Sequence, residues 1–419
     1  MLPLVATLCT ITIGSLRIGS GLPCAVPADV ALASERLAPL DAVLQQGLAV
    51  GGYPGAAVVI GRRGGVVWER GYGRVSWAPD ADPVHPDTTV YDLASLTKVV
   101  ATTAAAMVLY DRGTLRLDAP VREYLPSFTG GGRERVTVRQ LLTHRSGLPA
   151  GRDLWRVART PAEARREVLR TPLAAPPGSR TEYSDLGADV LGFVIEAVAK
   201  QPLDQYVRTR VFEPLGMRHT GFRPARALRA RAAPTELHPP RGYPLRGEVH
   251  DENAHALGGV AGHAGLFSTA TDLSIFAQTL LDGGVRDGVR VFSDSAVRLF
   301  TQSTVGWRAL GWETCAGSGS CGQHLSRAAF GHTGFTGTSF WVDPSRQMFV
   351  IVLSNWVHGG GANRPTRWVL NDVRADVADI AALAITDGPT APRGPARLRT
   401  PGVAAHPAVT ATTGPAGAK

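Results

Sequence analysis

Residues 96–112 (LTKVVATTAAAMVLYDR) have helical periodicity, yet apolar side chains fall on almost every face of that helix. Such a helix persists in water only where other elements cover it on all sides, so this stretch fixes the centre of a domain. A chain of 419 residues can supply that cover, as one large domain or as two lobes sharing a site.

The flanking pattern says how the cover is arranged. Residues 56–60 and 66–71 read as two strands around a turn at Arg63-Gly64-Gly65. Residues 337–342 and 348–354 form a second hairpin pattern, turning at Asp343-Pro344-Ser345-Arg346. Between and around them, helices are expected at 33–49, 139–144, 162–169, 185–199, 203–211, 272–281 and about 366–383. Residues 224–243, rich in Pro, Arg and Ala, read as a long exposed loop. Strands at both ends and helices in the middle predict a mixed α/β (α+β) class. Its central antiparallel sheet is built from the N- and C-terminal segments, with a helical lobe (roughly 92–290) inserted within a domain spanning 33–384. Residues 385–419 are Pro, Ala, Gly and Thr without apolar period and read as a disordered tail.

Residues 2–14 (LPLVATLCTITIG) are apolar and short for a membrane span. Small residues follow, and Val26-Pro27-Ala28 offers a small-x-small cleavage site, so residues 1–28 are expected to be a secretory signal peptide. The chain is then exported, periplasmic or secreted, and membrane-bound only if the leader is retained. Cys9 and Cys24 fall in that leader. Cys315 and Cys321 bracket a small flexible loop and could close a disulfide in an oxidising compartment or stay as free thiols. The net charge is +9, but the basic residues are scattered, so nucleic acid is not an expected partner.

Of the 44 basic residues, only Lys98, Lys200 and Lys419 are lysines. Lys98 stands three residues after Ser95, and Ser95 opens the buried helix, where free N–H groups favour developing negative charge. A serine hydroxyl needs a neighbouring base to become a nucleophile. A buried lysine can lose its proton and serve as one, which arginine cannot. By itself the arrangement is also that of a serine cap followed by a snorkelling lysine. Tyr183-Ser184-Asp185 lies between a Pro-Pro-Gly turn and a strong helix; Asp185 could equally be that helix's cap, and Tyr183 ordinary core. Gly331-His332-Thr333-Gly334-Phe335-Thr336-Gly337 precedes the terminal hairpin, with small residues that let a strand edge approach a substrate. The N–H groups of Phe335 and Ser95 could together form an oxyanion hole.

Taken in order, Ser95-x-x-Lys98, Tyr183-Ser184-Asp185 and His332-Thr333-Gly334 resemble the penicillin-recognising serine hydrolases, which include class C β-lactamases, D-alanyl-D-alanine peptidases and related esterases. Gln140 to Leu148 (QLLTHRSGL), Gly265 to Thr269 with Asp272-Leu273, and Ser354-Asn355 extend the similarity over about residues 37–383. The resemblance implies a β-lactamase/transpeptidase-like fold and an acyl-enzyme on Ser95. Lys98 becomes its proton acceptor or electrostatic partner, and Tyr183 a second general acid and base. Asp185, His332, Thr333, Gly334 and Phe335 become substrate-binding or oxyanion residues, with His332 poised to bind a substrate carboxylate or hydroxyl. Asp185 stands where Asn is common, and His332 where the β-lactamases carry Lys; both point away from an efficient β-lactamase. The expected activity is that of a penicillin-binding D-alanyl peptidase on a cell-wall peptide. An esterase, a β-lactamase or a non-catalytic peptide or β-lactam sensor are the alternatives. No cofactor or metal is expected, and the protein is expected to be a monomer. The segment from His250 to His263 crowds His and acidic residues without metal-ligand spacing and reads as a polar wall of the cleft.

Overall fold

The structure, a computed structural model, describes residues 21–237, 240–316, 319–359, 367–388, 397–400 and 410–411. Two chain ends meet in one antiparallel sheet: β1 (Gly55–Arg62), β2 (Gly65–Gly73), β3 (Glu313–Thr314), β4 (Phe330–Gly334), β5 (Thr338–Asp343) and β6 (Met348–Ser354). Their order is β2-β1-β6-β5-β4-β3. The N-terminal hairpin joins the C-terminal one through β1 and β6, in register from Ala56 opposite Ser354 to Arg62 opposite Met348.

Helices α1 (Pro39–Ala49), α2 (Ala104–Asp111), α3 (Asp185–Ala199), α4 (Ala270–Leu281) and α5 (Arg367–Leu383) feed two cores. Ala56, Val58 and Ile60 of β1 face α1 and α5. Ala57 and Val59 face the larger core, which takes in α2, α3 and α4. Every residue of β1 is therefore buried, as a strand covered on both faces requires.

The central apolar stretch is helical along most of its length, but not uniformly. Ala94–Leu96 is a 3-10 turn, Lys98–Thr103 is wound as a π-helix, and α2 follows. All six π-wound residues are buried, and Thr102 Oγ1 donates to the Gly262 carbonyl at 2.6 Å, tying the segment to a neighbouring loop. Wide turns of this kind recur where a helix carries a site.

Two expectations need correction. The 224–243 stretch is not simply an exposed loop: Arg226–Arg229 is a helical turn. Ala232 and Ala233 are buried, and the Ala233 N–H donates to Val90 O at 2.8 Å. The small Ala side chains that read as loop composition are what let the segment lie against Val90. Likewise, part of the expected disordered tail packs. Leu398 and Thr400 are fully buried, and buried Asp376 of α5 accepts from the N–H groups of Arg399 and Thr400 and from Thr400 Oγ1. Asp379, also buried, accepts from Arg399 Nη1 at 3.1 Å, so two buried carboxylates dock this segment, and no periodicity announces them. The rest of 385–419 lies largely outside the described residues. So do residues 1–20 of the expected leader, whereas Pro23 and Ala25 exchange backbone hydrogen bonds with Val66 of β2. Cys315 and Cys321 form a disulfide, their Cα atoms 5.8 Å apart.

Candidate active site

Ser95 sits on a sharp turn. Ala94, just before it, has φ +47°, a left-handed conformation costly for a residue with a Cβ. Asp92 over-determines that turn: its Oδ1 accepts from the Ala94 N–H at 2.8 Å and its Oδ2 from the His250 N–H at 2.7 Å. From the other side, Thr336 Oγ1 donates to Asp92 O at 2.7 Å and Thr338 Oγ1 to Leu93 O at 3.0 Å. The end of β4 is thereby pressed onto the Ser95 turn. A Cβ at Gly334 would lie 2.1 Å from Thr338 Oγ1 and 2.3 Å from Leu93 O, so only glycine fits.

Lys98 is buried, and its ammonium has three oxygen partners. Nζ donates to Ser95 Oγ at 2.9 Å and to the His263 carbonyl at 3.3 Å, and lies 2.7 Å from Asp185 Oδ1. Burial would lower its pKa, but Asp185 and Tyr183 outweigh burial and raise it above the ordinary lysine value. Lys98 is thus an ammonium at rest, not the neutral amine that burial alone predicts. Asp185 is free for this contact because Ser184 caps α3 instead, its Oγ accepting from the Gly187 N–H at 3.0 Å. Rather than facing an oxyanion, the Asp185 carboxylate stands against the lysine. Burial raises its pKa and the Lys98 charge lowers it, with a net lowering.

Tyr183 is stacked between charged and aromatic neighbours. Its ring centre lies 4.8 Å from Lys98 Nζ, 5.3 Å from Arg308 Cζ, 4.6 Å from the His144 ring and 5.8 Å from the His332 ring. His144 is buried and accepts the Ser184 N–H on Nδ1 at 3.1 Å. Burial, then Arg308 and Lys98, hold its pKa well below the usual histidine range, so it buttresses Tyr183 as a neutral ring.

His332 is also neutral. Burial first, then the Lys98 and Arg308 charges, push its pKa down to about 4 against the opposing pull of Glu313. Its Nδ1 lies 2.8 Å from the Thr333 carbonyl, which can only accept, so the proton is on Nδ1 and Nε2 carries a lone pair. Nε2 has no hydrogen-bond partner among the described residues. His332 can accept from a hydroxyl or an N–H, but it offers nothing to a carboxylate. Sequence reasoning missed the cations of this cleft: Arg308 is buried, 3.2 Å from Glu313, and its Nε has no hydrogen-bond partner among the described residues, and Arg367, Arg374 and Arg399 line the cleft as well. No sequence motif marks Arg308; it stands in a stretch of irregular structure between α4 and β3.

Ser95, Tyr183, Arg308, His332, Thr333, Gly334 and Phe335 line one cleft of about 590 Å³, together with Gly319 and Ser320 of the disulfide loop. Lys98 and Asp185 lie behind it. The structure therefore brings all eight expected residues together, from three separate parts of the chain. Among the described residues, no cluster of His, Cys, Asp or Glu could hold a metal ion.

Comparison with known proteins gives a consistent picture. A family model described as Beta-lactamase matches residues 40–375. A protein of Escherichia coli (strain K12) named putative D-alanyl-D-alanine carboxypeptidase is 35% identical over 363 residues, covering 77% of this chain and 83% of that protein. Among solved structures, EstCE1, a hydrolase with promiscuous acyltransferase activity, has a TM-score of 0.65 at 25% identity, over 82% of this chain and 98% of its own. A penicillin-binding protein homologue from Caulobacter crescentus has a TM-score of 0.65 at 23% identity, over 82% and 97%, and shares the fold.

Proposed function

The chain belongs to the beta-lactamase family and is a serine hydrolase of it, and from that membership we propose that it is a D-alanyl carboxypeptidase acting through Ser95. The observation that carries the substrate is Arg308, a cation that lines the cleft beside Ser95 and Tyr183. It suits the terminal carboxylate of a peptide. The similarity to a named putative carboxypeptidase over most of both chains supports the same reading.

In this mechanism Ser95 Oγ attacks the peptide carbonyl, and the oxyanion rests on the N–H groups of Ser95 and Phe335. The Ser95 proton passes to the Tyr183 oxygen as Tyr183 gives its own proton to the leaving amine. Lys98 does not take the proton; its ammonium stabilises the charge that develops on Ser95 Oγ, 2.9 Å away. Water then reverses the relay: it attacks the acyl carbon, yields a proton to Tyr183, and Tyr183 returns one to Ser95. His332 Nε2 accepts from a substrate N–H or hydroxyl and orients the acyl part.

The test is release of D-alanine from an acylated D-alanyl-D-alanine peptide, compared with the same peptide ending in an amide. Turnover of the acid, lost in Ser95→Ala, with KM raised at least tenfold in Arg308→Gln, is expected from loss of a charge-assisted contact. Equal turnover of acid and amide would favour the second reading, an esterase. We further propose that the protein is exported, on the strength of the apolar N-terminal stretch and the Cys315–Cys321 disulfide.

A further inference from the structure

The segment from His250 to His263 forms part of the site rather than a bare wall. Asp185 and Asp189 lie one helical turn apart on α3, on the same face. Asp185 reaches Lys98, and Asp189 reaches His263, with Oδ1 2.7 Å from Nδ1. The other ring nitrogen, Nε2, is 2.9 Å from Asp251 Oδ1. The carbonyl of the same His263 accepts from Lys98 Nζ. His263 and Asp189 are almost fully buried. Gly262 brings the loop onto α3 so tightly that a Cβ there would lie 1.9 Å from Ala188 O.

Both nitrogens of His263 face carboxylates. A neutral imidazole has one N–H and would turn a lone pair on one of them. Burial raises the Asp189 pKa, but the His263 charge opposes that rise and, against burial, holds Asp251 low, so the ring is an imidazolium. Burial alone would lower its pKa, but Asp189, Asp251 and Asp185 raise it well above the ordinary histidine value. The pocket behind Ser95 thus holds two cations, Lys98 and His263, among three carboxylates. Remove the imidazolium and three carboxylates share one ammonium, a charge imbalance costly in a buried setting.

We propose that the Asp189–His263–Asp251 chain is a positioning device that holds Lys98 against Ser95, by fixing the His263 carbonyl and by balancing the Asp185 carboxylate. It rests on the reading of Ser95 and Lys98 given above and assigns His263, Asp189 and Asp251 as positioning residues for the acylation step. The groups that face His263 from the elements packed against it are Asp185 and Asp189 of α3, Asp251 of the preceding loop, and Lys98.

The test is steady-state turnover of an activated ester, across pH, by the full-length protein and its variants. His263→Gln is expected to lower kcat about 100-fold with KM changed less than about threefold, since geometry of a reacting group is disturbed but the cleft is not. The acid limb of kcat moves up by about a unit or more, because Asp185 loses a nearby positive charge and binds a proton more readily. Adding Asp189→Asn removes one negative charge with the positive one and is expected to recover about tenfold of that loss, a coupling that mere loss of packing does not produce. Asp251→Asn, the milder change, lowers the His263 pKa and moves the alkaline limb to lower pH. A His263→Gln enzyme with the wild-type kcat and acid limb, or losses that simply multiply in the double variant, would overturn the inference while leaving Ser95 hydrolysis standing. A wild-type protein that is not acylated at Ser95 would overturn the reading of the site, and this inference with it.

Discussion

His332 shows how much one proton decides. Its family position suggests a group for a carboxylate, yet its neutral ring with a bare Nε2 can only accept there. The sequence displays the residue type but not the Lys98 and Arg308 charges that, after burial, hold it neutral. The same holds for Lys98: its isolation in an arginine-rich chain singles it out, but its protonation depends on Asp185, which is 87 residues away in the chain and 2.7 Å away in space. His332 also carries a pH prediction. Its folded pKa lies below the unfolded one, so between about 6.5 and 4 the unfolded chain binds more protons, and stability falls as pH falls through that window. The contribution is at most about 3 kcal/mol. His332→Gln should flatten the acid side of a melting-temperature profile; an unchanged slope would contradict a neutral, buried His332. His263 has the opposite sign, its raised pKa adding stability below the unfolded value that is lost as pH rises through the folded one.

At the scale of elements, both hairpins and α3 and α4 were legible because their apolar periods and turn residues are local. The Ser95 turn was not. Its strain at Ala94 is held by Asp92, Thr336 and Thr338, residues the sequence offers without any sign that they converge. The docking of Leu398 and Thr400 on α5 escaped for the same reason: two buried carboxylates, Asp376 and Asp379, have no period that marks them. The contact between β4 and the Ser95 turn gives a sharp expectation. Gly334→Ala forces the two apart, costing about 1–3 kcal/mol of stability by overpacking and about 100-fold in kcat by displacing the oxyanion site. Thermal melting and ester turnover measure the two effects separately, and a variant with wild-type values of both would show that the close approach does not matter.

For the whole molecule, the arrangement of strands at the chain ends and helices between them sufficed to anticipate the sheet, because the sheet needs both hairpins to cover the apolar centre. The cleft is lined by the Ser95 turn, Tyr183, the end of β4 and residues 370–372, 374 and 375 of α5, so its chemistry depends on elements from both ends and the middle of the chain. The proposed export belongs to this scale. If a leader is removed after Ala28, the exported protein begins at Asp29 and loses the hydrogen bonds of Pro23 and Ala25 to Val66. N-terminal sequencing of the secreted protein should return Asp29, and a start upstream of Pro23 would place the cut elsewhere and keep that pairing. Nucleophilic catalysis by Ser95 remains the centre of the account. Its most direct measurement is the intact mass of the purified protein after brief exposure to a penicillin, beside Ser95→Ala. One penicilloyl adduct is expected on the wild type and none on the variant. An adduct that persists in Ser95→Ala would contradict catalysis by Ser95.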